Sequence, residues 1–174
     1  MKAPIFSTKV RRPSVAPDIV ERDRLTHLLE EGRHRPLTLI SAPAGYGKST
    51  LVSRWIAPAD HPCGWLSLDK NDNDPRQFLR YLVAAIKRVC PGIHLKTESL
   101  LAYDHLPPET EVASFILNDL GQLSESVTLV LDDFHCITRP FVNDLIAALL
   151  THSTRSLRLV LLTRKDPSLP IATL

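Results

Sequence analysis

Cysteine is scarce in this 174-residue chain, and the three present, Cys63, Cys90 and Cys136, stand far apart with no Cys-x-x-Cys pair. An odd, scattered set argues against a disulfide framework or a zinc knuckle, and a reducing cytoplasm is the expected compartment. No apolar run approaches the roughly 18 residues that a membrane helix needs. The segment Met1 to Pro17 is charged and proline-punctuated, with nothing that resembles a signal peptide. Neither sign of charge dominates: 21 basic against 19 acidic side chains leave a formal +2, too little for polyelectrolyte attraction to DNA or anionic lipid. The seven histidines show no metal-ligand spacing, so imidazole coordination has no support. There is no internal repeat and no low-complexity tract. What remains is a soluble chain of ordinary apolar and charged content, long enough for one domain with its own core.

Residues 1–17 carry Pro4, Pro13 and Pro17 among basic side chains, a composition for an extended arm lying on the body of residues 18–174. From about Val20 to Glu31, Leu25, Leu28 and Leu29 recur at helical spacing and Gly32 supplies a stop. Leu37 to Ser41 reads as a buried strand, Ser49 to Ile56 as helix and Gly64 to Leu68 as a second strand. Asp74-Pro75 opens a long helix with an N-cap and a proline at its first position; Phe78, Leu79, Leu82, Val83 and Ile86 face inward before Pro91-Gly92 ends it. Pro91 to Pro108 has no period and reads as loop with short turns. Helix is expected over Glu109–Leu123, strand over Val127–Leu131, helix from Pro140 to about Leu150, and a fourth strand over Leu157–Leu162. Strand and helix alternate throughout, the mark of right-handed βαβ units and a parallel sheet covered on both faces. The fold class is therefore α/β.

Between the first strand and the following helix lies Ala42-Pro43-Ala44-Gly45-Tyr46-Gly47-Lys48-Ser49-Thr50. It fits the Walker A pattern with alanine at the first glycine position, and it sits between the two elements the mechanism requires. Gly45 and Gly47 let backbone N–H groups turn toward an anion, the helix opening at Lys48 adds its positive end, Lys48 can reach the β and γ phosphates, and Ser49 can hold Mg²⁺. The competing explanation is a plain strand-to-helix turn with a surface lysine. Chance matches to so relaxed a pattern are on the order of one in a hundred for such a chain, and the flanking elements lower that further.

Leu129-Val130-Leu131-Asp132-Asp133 places two carboxylates where an apolar strand ends, the Walker B arrangement. Asp132 is the candidate for the metal sphere, and Asp133 for polarising an attacking water or tuning the metal site. Such a pair alone is more often a solvated turn; coupled to a Walker A loop, the odds reverse. Thr163-Arg164 ends the fourth strand and should emerge beside the phosphate loop if that strand neighbours the first, which would let Arg164 sense the γ-phosphate; otherwise it is a surface arginine closing a strand. Thr163-Arg164-Lys165-Asp166 lacks the asparagine of the guanine-specificity element. Trp55 and Trp65 read as core. Asp69, Asp72 and Asp74 are explained more simply by an exposed loop and a helix N-cap than by a cation site.

Taken together, these residues resemble the N-terminal ATPase domain of the MalT-type large ATP-binding regulators of the LuxR family, members of the signal-transduction (STAND) class of P-loop NTPases. The resemblance rests on Lys9-Val10-Arg11-Arg12-Pro13, Val20-x-Arg22-x-Arg24-Leu25, Ser41 through Thr50, Trp65-Leu66-Ser67-Leu68-Asp69 with Asp72-Asn73-Asp74, Leu131-Asp132-Asp133-Phe134-His135, and Thr163-Arg164 with Asp166-Pro167 and Leu169-Pro170. It covers nearly the whole chain and accounts for Ala42, which is usual in that family. It implies a P-loop three-layer sandwich, truncated here before a fifth core strand. It places Val20 and Arg22 near adenine; Lys48, Ser49 and Thr50, with the loop backbone at Ala44, Gly45, Tyr46 and Gly47, on phosphates and Mg²⁺; Asp132 and Asp133 as the Walker B pair; and Arg164 as the sensor. It implies ATP and ADP as ligands, self-association in a full-length active state, an inducer acting through further domains, and DNA contact only through a C-terminal helix-turn-helix beyond this chain. The first strand is then expected to be a bare sheet edge, not covered by residues 167–174.

The leading reading is an ATP-binding, slowly hydrolysing regulatory switch module of a transcription activator, a weak ATPase at most by itself. The alternative, a self-contained P-loop small-molecule kinase, needs an acceptor pocket and a mobile lid, for which residues 91–108 are the only candidate. A nucleic-acid motor is disfavoured by balanced charge and the lack of an aromatic and basic stripe.

Overall fold

Apolar strands without alternation need cover on both faces, and the computed structural model, which describes residues 4–16, 20, 22–152, 155–167 and 169, shows how they obtain it. In chain order the elements are α1 (Asp23–Glu31), β1 (Leu37–Ser41), α2 (Lys48–Trp55), β2 (Cys63–Ser67), α3 (Pro75–Val89), α4 (Glu109–Leu120), β3 (Val127–Asp132), α5 (Pro140–Thr151) and β4 (Leu157–Thr163), with short 3-10 turns at Lys70–Asn73, Lys96–Ala102 and Phe134–Cys136. The four strands form one parallel sheet in the order β1-β4-β3-β2. Side chains alternate across it. Trp65, Val130, Val160 and Leu162 pack with Leu29, Val52, Trp55 and Ile56 under α1 and α2, while Leu66, Leu129, Leu131, Leu159 and Leu161 join the larger core under α3, α4 and α5. Both tryptophans are thus core residues, with Trp55 Nε1 donating to Glu30 at 3.0 Å and Trp65 Nε1 to Ser67 Oγ at 3.1 Å.

Element boundaries match expectation to within one to three residues. The first helix begins at Asp23, because Arg22 is non-helical with φ −125° and Val20 lies outside it. The aperiodic stretch after α3 is more ordered than its composition suggests: Leu95, Thr97 and Leu100 are buried. Thr97 donates to the buried Asp119 carboxylate from its N–H at 2.8 Å and its hydroxyl at 2.5 Å, and Arg76 donates to the carbonyls of Leu101, Tyr103 and Asp104. Side-chain partners 22 to 28 residues away leave no local period to read.

Over residues 4–16 the N-terminal segment crosses the body. Val10 is buried in the larger core, the Lys9 carbonyl accepts from Ser67 N–H at the β2 edge at 2.8 Å, and the Pro13 carbonyl accepts from Ser53 Oγ of α2 at 2.7 Å. Asp72, expected in an exposed loop, is fully buried against the Lys9 ammonium at 2.5 Å. β1 is an edge strand among the described residues; of residues 167–174 only Pro167 and Leu169 are described, so the expected bare edge against that segment falls largely outside them. Among the described residues no helix is long and apolar enough to cross a membrane.

At Gly64 the backbone of α3 comes close to the sheet. A Cβ there would lie 2.7 Å from Leu129 Cδ2 and 3.3 Å from the Ala85 carbonyl oxygen. Overpacking of this kind costs about 1–3 kcal/mol, so Gly64→Ala is expected to lower the thermal midpoint by several degrees, about 2–4 °C per kcal/mol. An unchanged midpoint in calorimetry would mean that α3 shifts freely.

Candidate nucleotide site

β1 feeds a six-residue loop, 42–47, that ends where α2 begins at Lys48. Gly45 and Gly47 hold φ of 81° and 72°, left-handed values that side chains resist. No side chain caps α2, so its first-turn N–H groups and its positive end face the loop's concavity, the arrangement that binds anions. The Lys48 ammonium folds back over this loop, donating to the carbonyls of Ala42 at 2.7 Å and Pro43 at 3.0 Å.

The neighbouring strand ends converge on the same place. β4 pairs with β1 in the register Ser41 to Thr163, and Ala42 N–H donates to the Thr163 carbonyl at 3.2 Å, which brings Arg164 out beside the loop. One strand further, β3 ends at Asp132, only 6% exposed. Burial pushes its carboxyl above the usual value; the Ser49 hydroxyl opposes this, the Asp133 charge reinforces it, and the Asp133 N–H, at 2.9 Å, and Lys48 oppose it. A buried carboxylate held next to a serine hydroxyl and an ammonium is suited to a cation. Among the described residues no group of three His, Cys, Asp or Glu side chains could hold a metal alone. The Ser49–Asp132 oxygen pair fits Mg²⁺, which is usually held by one or two protein oxygens with phosphate and water supplying the rest.

Asp133 is the one described non-glycine residue in the left-handed region, at φ 56°. Its Oδ1 lies 3.8 Å from both Arg164 Nη2 and His135 Nδ1. His135 showed no ligand spacing in the sequence, yet the 3-10 turn carries it back to Asp133, with Nδ1 buried and without a hydrogen bond. Burial holds its imidazole pKa below the usual value. Only the turn after the strand brings it there, and no periodicity announces that turn.

On the other flank, α1 and α2 enclose a cavity of about 410 Å³ whose lining includes Val20, Arg22, Thr26, Thr50, Leu51 and Trp55. This lies in the range of small-ligand pockets. Arg22 spans the cavity and the loop, its Nη1 donating to the Tyr46 carbonyl at 2.9 Å; Val20 is 80% exposed at the rim. Thr26 and Leu51 were not singled out from sequence, and Trp55 was read as core alone. Their signal is weak but present: Leu51 and Trp55 are one helical turn apart, on one face of α2.

A strand running into a glycine loop and an uncapped helix, faced by a buried carboxylate on a nearby parallel strand, defines a P-loop nucleotide-binding domain. The AAA domain family matches residues 30–166, and the chain belongs to it. It is 35% identical over 170 residues to the HTH-type transcriptional regulator MalT of Serratia proteamaculans (strain 568) and 36% identical over 170 residues to that of Yersinia pestis (strain Pestoides F). Each match covers 98% of this chain and 19% of the relative, so the chain spans about a fifth of their length. In fold it resembles Cdc6p from Pyrobaculum aerophilum, with a TM-score of 0.58 at 14% identity over 97% of this chain and 46% of that one.

Proposed function

We propose that this chain is the ATP-binding switch module of a MalT-type, LuxR-family transcriptional regulator acting in the cytoplasm. The observation that carries this reading is the phosphate loop set directly against the buried Asp132 carboxylate, with Lys48 and Ser49 between them. In this reading the backbone of Ala44, Gly45, Tyr46 and Gly47 cradles phosphate and Lys48 moves from the Ala42 and Pro43 carbonyls to the β and γ phosphates. Thr50 adds a hydroxyl to the phosphate cradle. Ser49 and Asp132 hold Mg²⁺, which when bound neutralises phosphate charge. Asp133, next to Asp132, tunes the Mg²⁺ site and polarises water, Arg164 reports the γ-phosphate, and Val20 and Arg22 flank adenine in the α1–α2 cavity. The switch arises if ATP and ADP favour different positions of the turn after Asp133, a population shift by differential affinity. The relatives' description as HTH-type transcriptional regulators supports DNA contact through polypeptide outside this chain; the same reading has a full-length active state that self-associates and an inducer that acts through further domains.

A kinase reading is weakened by the 91–108 segment, which is tied to α4 through Asp119 and to α3 through Arg76 and is therefore poorly placed to act as a lid. Incubation with γ-labelled ATP separates the two. The switch reading expects phosphate release at about 10⁻³ s⁻¹ or slower, the scale of unassisted P-loop switches, and no transfer to metabolites. Fast, acceptor-dependent transfer would contradict it.

A further inference from the structure

Four of the six polar side chains in the segment Asp69–Asp74 lie outside the proposed nucleotide contacts, and between them they reach three places: the Lys9 ammonium, the start of α3 and the turn 136–139. Asp69 and Asp72 hold the Lys9 ammonium at 2.9 and 2.5 Å. Asp74 caps α3 through Gln77 N–H at 2.8 Å. Asn73 turns to another element altogether. Its Oδ1 accepts from the backbone N–H groups of Thr138 at 2.8 Å and Arg139 at 2.9 Å, with the Thr138 hydroxyl at 3.4 Å. Its Nδ2 donates to the Cys136 carbonyl at 2.8 Å and to the Lys70 carbonyl at 3.0 Å.

A carboxamide has two N–H donors and two lone pairs, and all are used here. Both donors meet carbonyls and both lone pairs meet N–H groups, so aspartate would set an oxygen against two carbonyls and a shorter side chain would reach neither partner. The segment it grips, 136–139, continues the 3-10 turn that closes on Asp133 through Cys136 N–H to the Asp133 carbonyl at 2.9 Å. That turn sets the left-handed backbone of Asp133 and places His135 at its carboxylate. On its other side Asn73 belongs to a loop pinned by Lys9, so a continuous set of hydrogen bonds joins the N-terminal segment to the acidic strand end.

We propose that Asn73 is a positioning residue for the nucleotide site: it fixes the turn 133–139, and with it the Asp133 carboxylate, to the loop that Lys9 anchors. The consequence for ATP rests on the reading of Asp132 and Asp133 given above; the positioning itself does not.

The test uses Asn73→Ser and the harsher Asn73→Asp, with Asp74→Ala as a neighbour whose side chain caps α3 through Gln77 N–H and, among the described residues, makes no hydrogen bond to 136–139. Amide hydrogen exchange by NMR is measured on the nucleotide-free chain, and ATP affinity by calorimetry with Mg²⁺ and with EDTA. In both Asn73 variants, exchange at Asp133 and at 135–139 is expected to accelerate while β3 and β4 amides stay protected. The gain in ATP affinity that Mg²⁺ provides should fall about tenfold, as for losses of supporting residues around metal sites, with the EDTA affinity unchanged. Asp74→Ala should lower the melting temperature yet leave both readouts alone. Unchanged exchange at Asp133 and His135 would overturn the proposal, as would a Mg²⁺-linked gain equal to wild type in a variant whose turn has loosened. If the wild-type chain binds no ATP, the nucleotide reading fails by itself, and the exchange at Asp133 and His135 still decides the role of Asn73.

Discussion

Replacing Lys9 by methionine is expected to destabilise the chain by about 3 kcal/mol, the lower end of the cost of breaking a buried ion pair by removing one partner. Methionine keeps the unbranched stem, so the loss isolates the ammonium. Asp72 has no exposed side-chain surface and would keep only the Asp69 N–H at 2.7 Å and a long contact from Gln77 at 3.4 Å. The ammonium also lies 4.5 Å from the centre of the Tyr81 ring, a cation–π contact that disappears with it. Urea unfolding should show the loss as a lower midpoint at unchanged slope. The double variant Lys9→Met/Asp72→Asn should regain much of it, because neutralising the orphaned carboxylate removes the larger penalty. A single-variant cost near zero would mean that the anchor is solvated.

The same anchor has a definite pH signature. Burial works to raise the Asp69 pKa, but the Lys9 ammonium and the N–H groups of Asn71 and Asp72 outweigh it and hold the carboxyl below its usual value. That contribution is present above the unfolded carboxylate pKa and is lost as pH falls through the lower, folded one. For Lys9, burial works to lower the pKa, and the two carboxylates outweigh it and raise it. Its contribution is complete below the unfolded lysine pKa and is lost as pH rises through the folded one. Wild type should therefore exceed Lys9→Met in stability across neutral pH, with the difference shrinking at both extremes.

Asp132→Asn is expected to move stability and binding in opposite directions. The carboxylate is nearly buried, and burial is the main reason its charged form is disfavoured. Asparagine keeps an acceptor for the Asp133 N–H and can donate to Ser49, so removing the charge should stabilise the nucleotide-free chain by about 1 kcal/mol. Affinity for Mg²⁺-ATP should fall roughly 10–100-fold, with affinity in EDTA nearly unchanged. Thermal shift with and without Mg²⁺-ATP reads both effects in one experiment. A variant that is less stable and binds equally well would remove Asp132 from the site.

The elements and the phosphate loop were legible because their signals are local. β1 and β3 are short apolar runs, Asp74-Pro75 is a helix start, and Gly45 and Gly47 stand where the chain must turn with positive φ. The strand order was not legible: the resemblance implied only that β1 lies at an edge, and β4 beside β1 stood as a condition, since nothing in Leu157–Thr163 names its partner. Three features escaped for a common reason. The ordering of Lys96–Ala102 depends on Asp119 and Arg76, the burial of Asp72 depends on Lys9 some sixty positions away, and the approach of His135 to Asp133 depends on a left-handed residue that is not glycine. Each is a long-range or conformational fact about polar side chains, whose partners leave no periodicity. The α1–α2 cavity was partly legible: Val20 and Arg22 came from resemblance, while Thr26, Leu51 and Trp55 join its lining only once α1 is laid against α2.

The measurement closest to the central claim is titration calorimetry of ATP, ADP and GTP with Mg²⁺ on this chain and on Lys48→Ala. Lys48 bonds only to loop carbonyls here, so its removal should leave the fold intact while deleting charge-assisted bonds to phosphate. Adenine-selective binding is expected, weakening at least about tenfold in the variant. Equal binding by the folded variant, or no binding by the folded wild-type chain, would contradict the central claim.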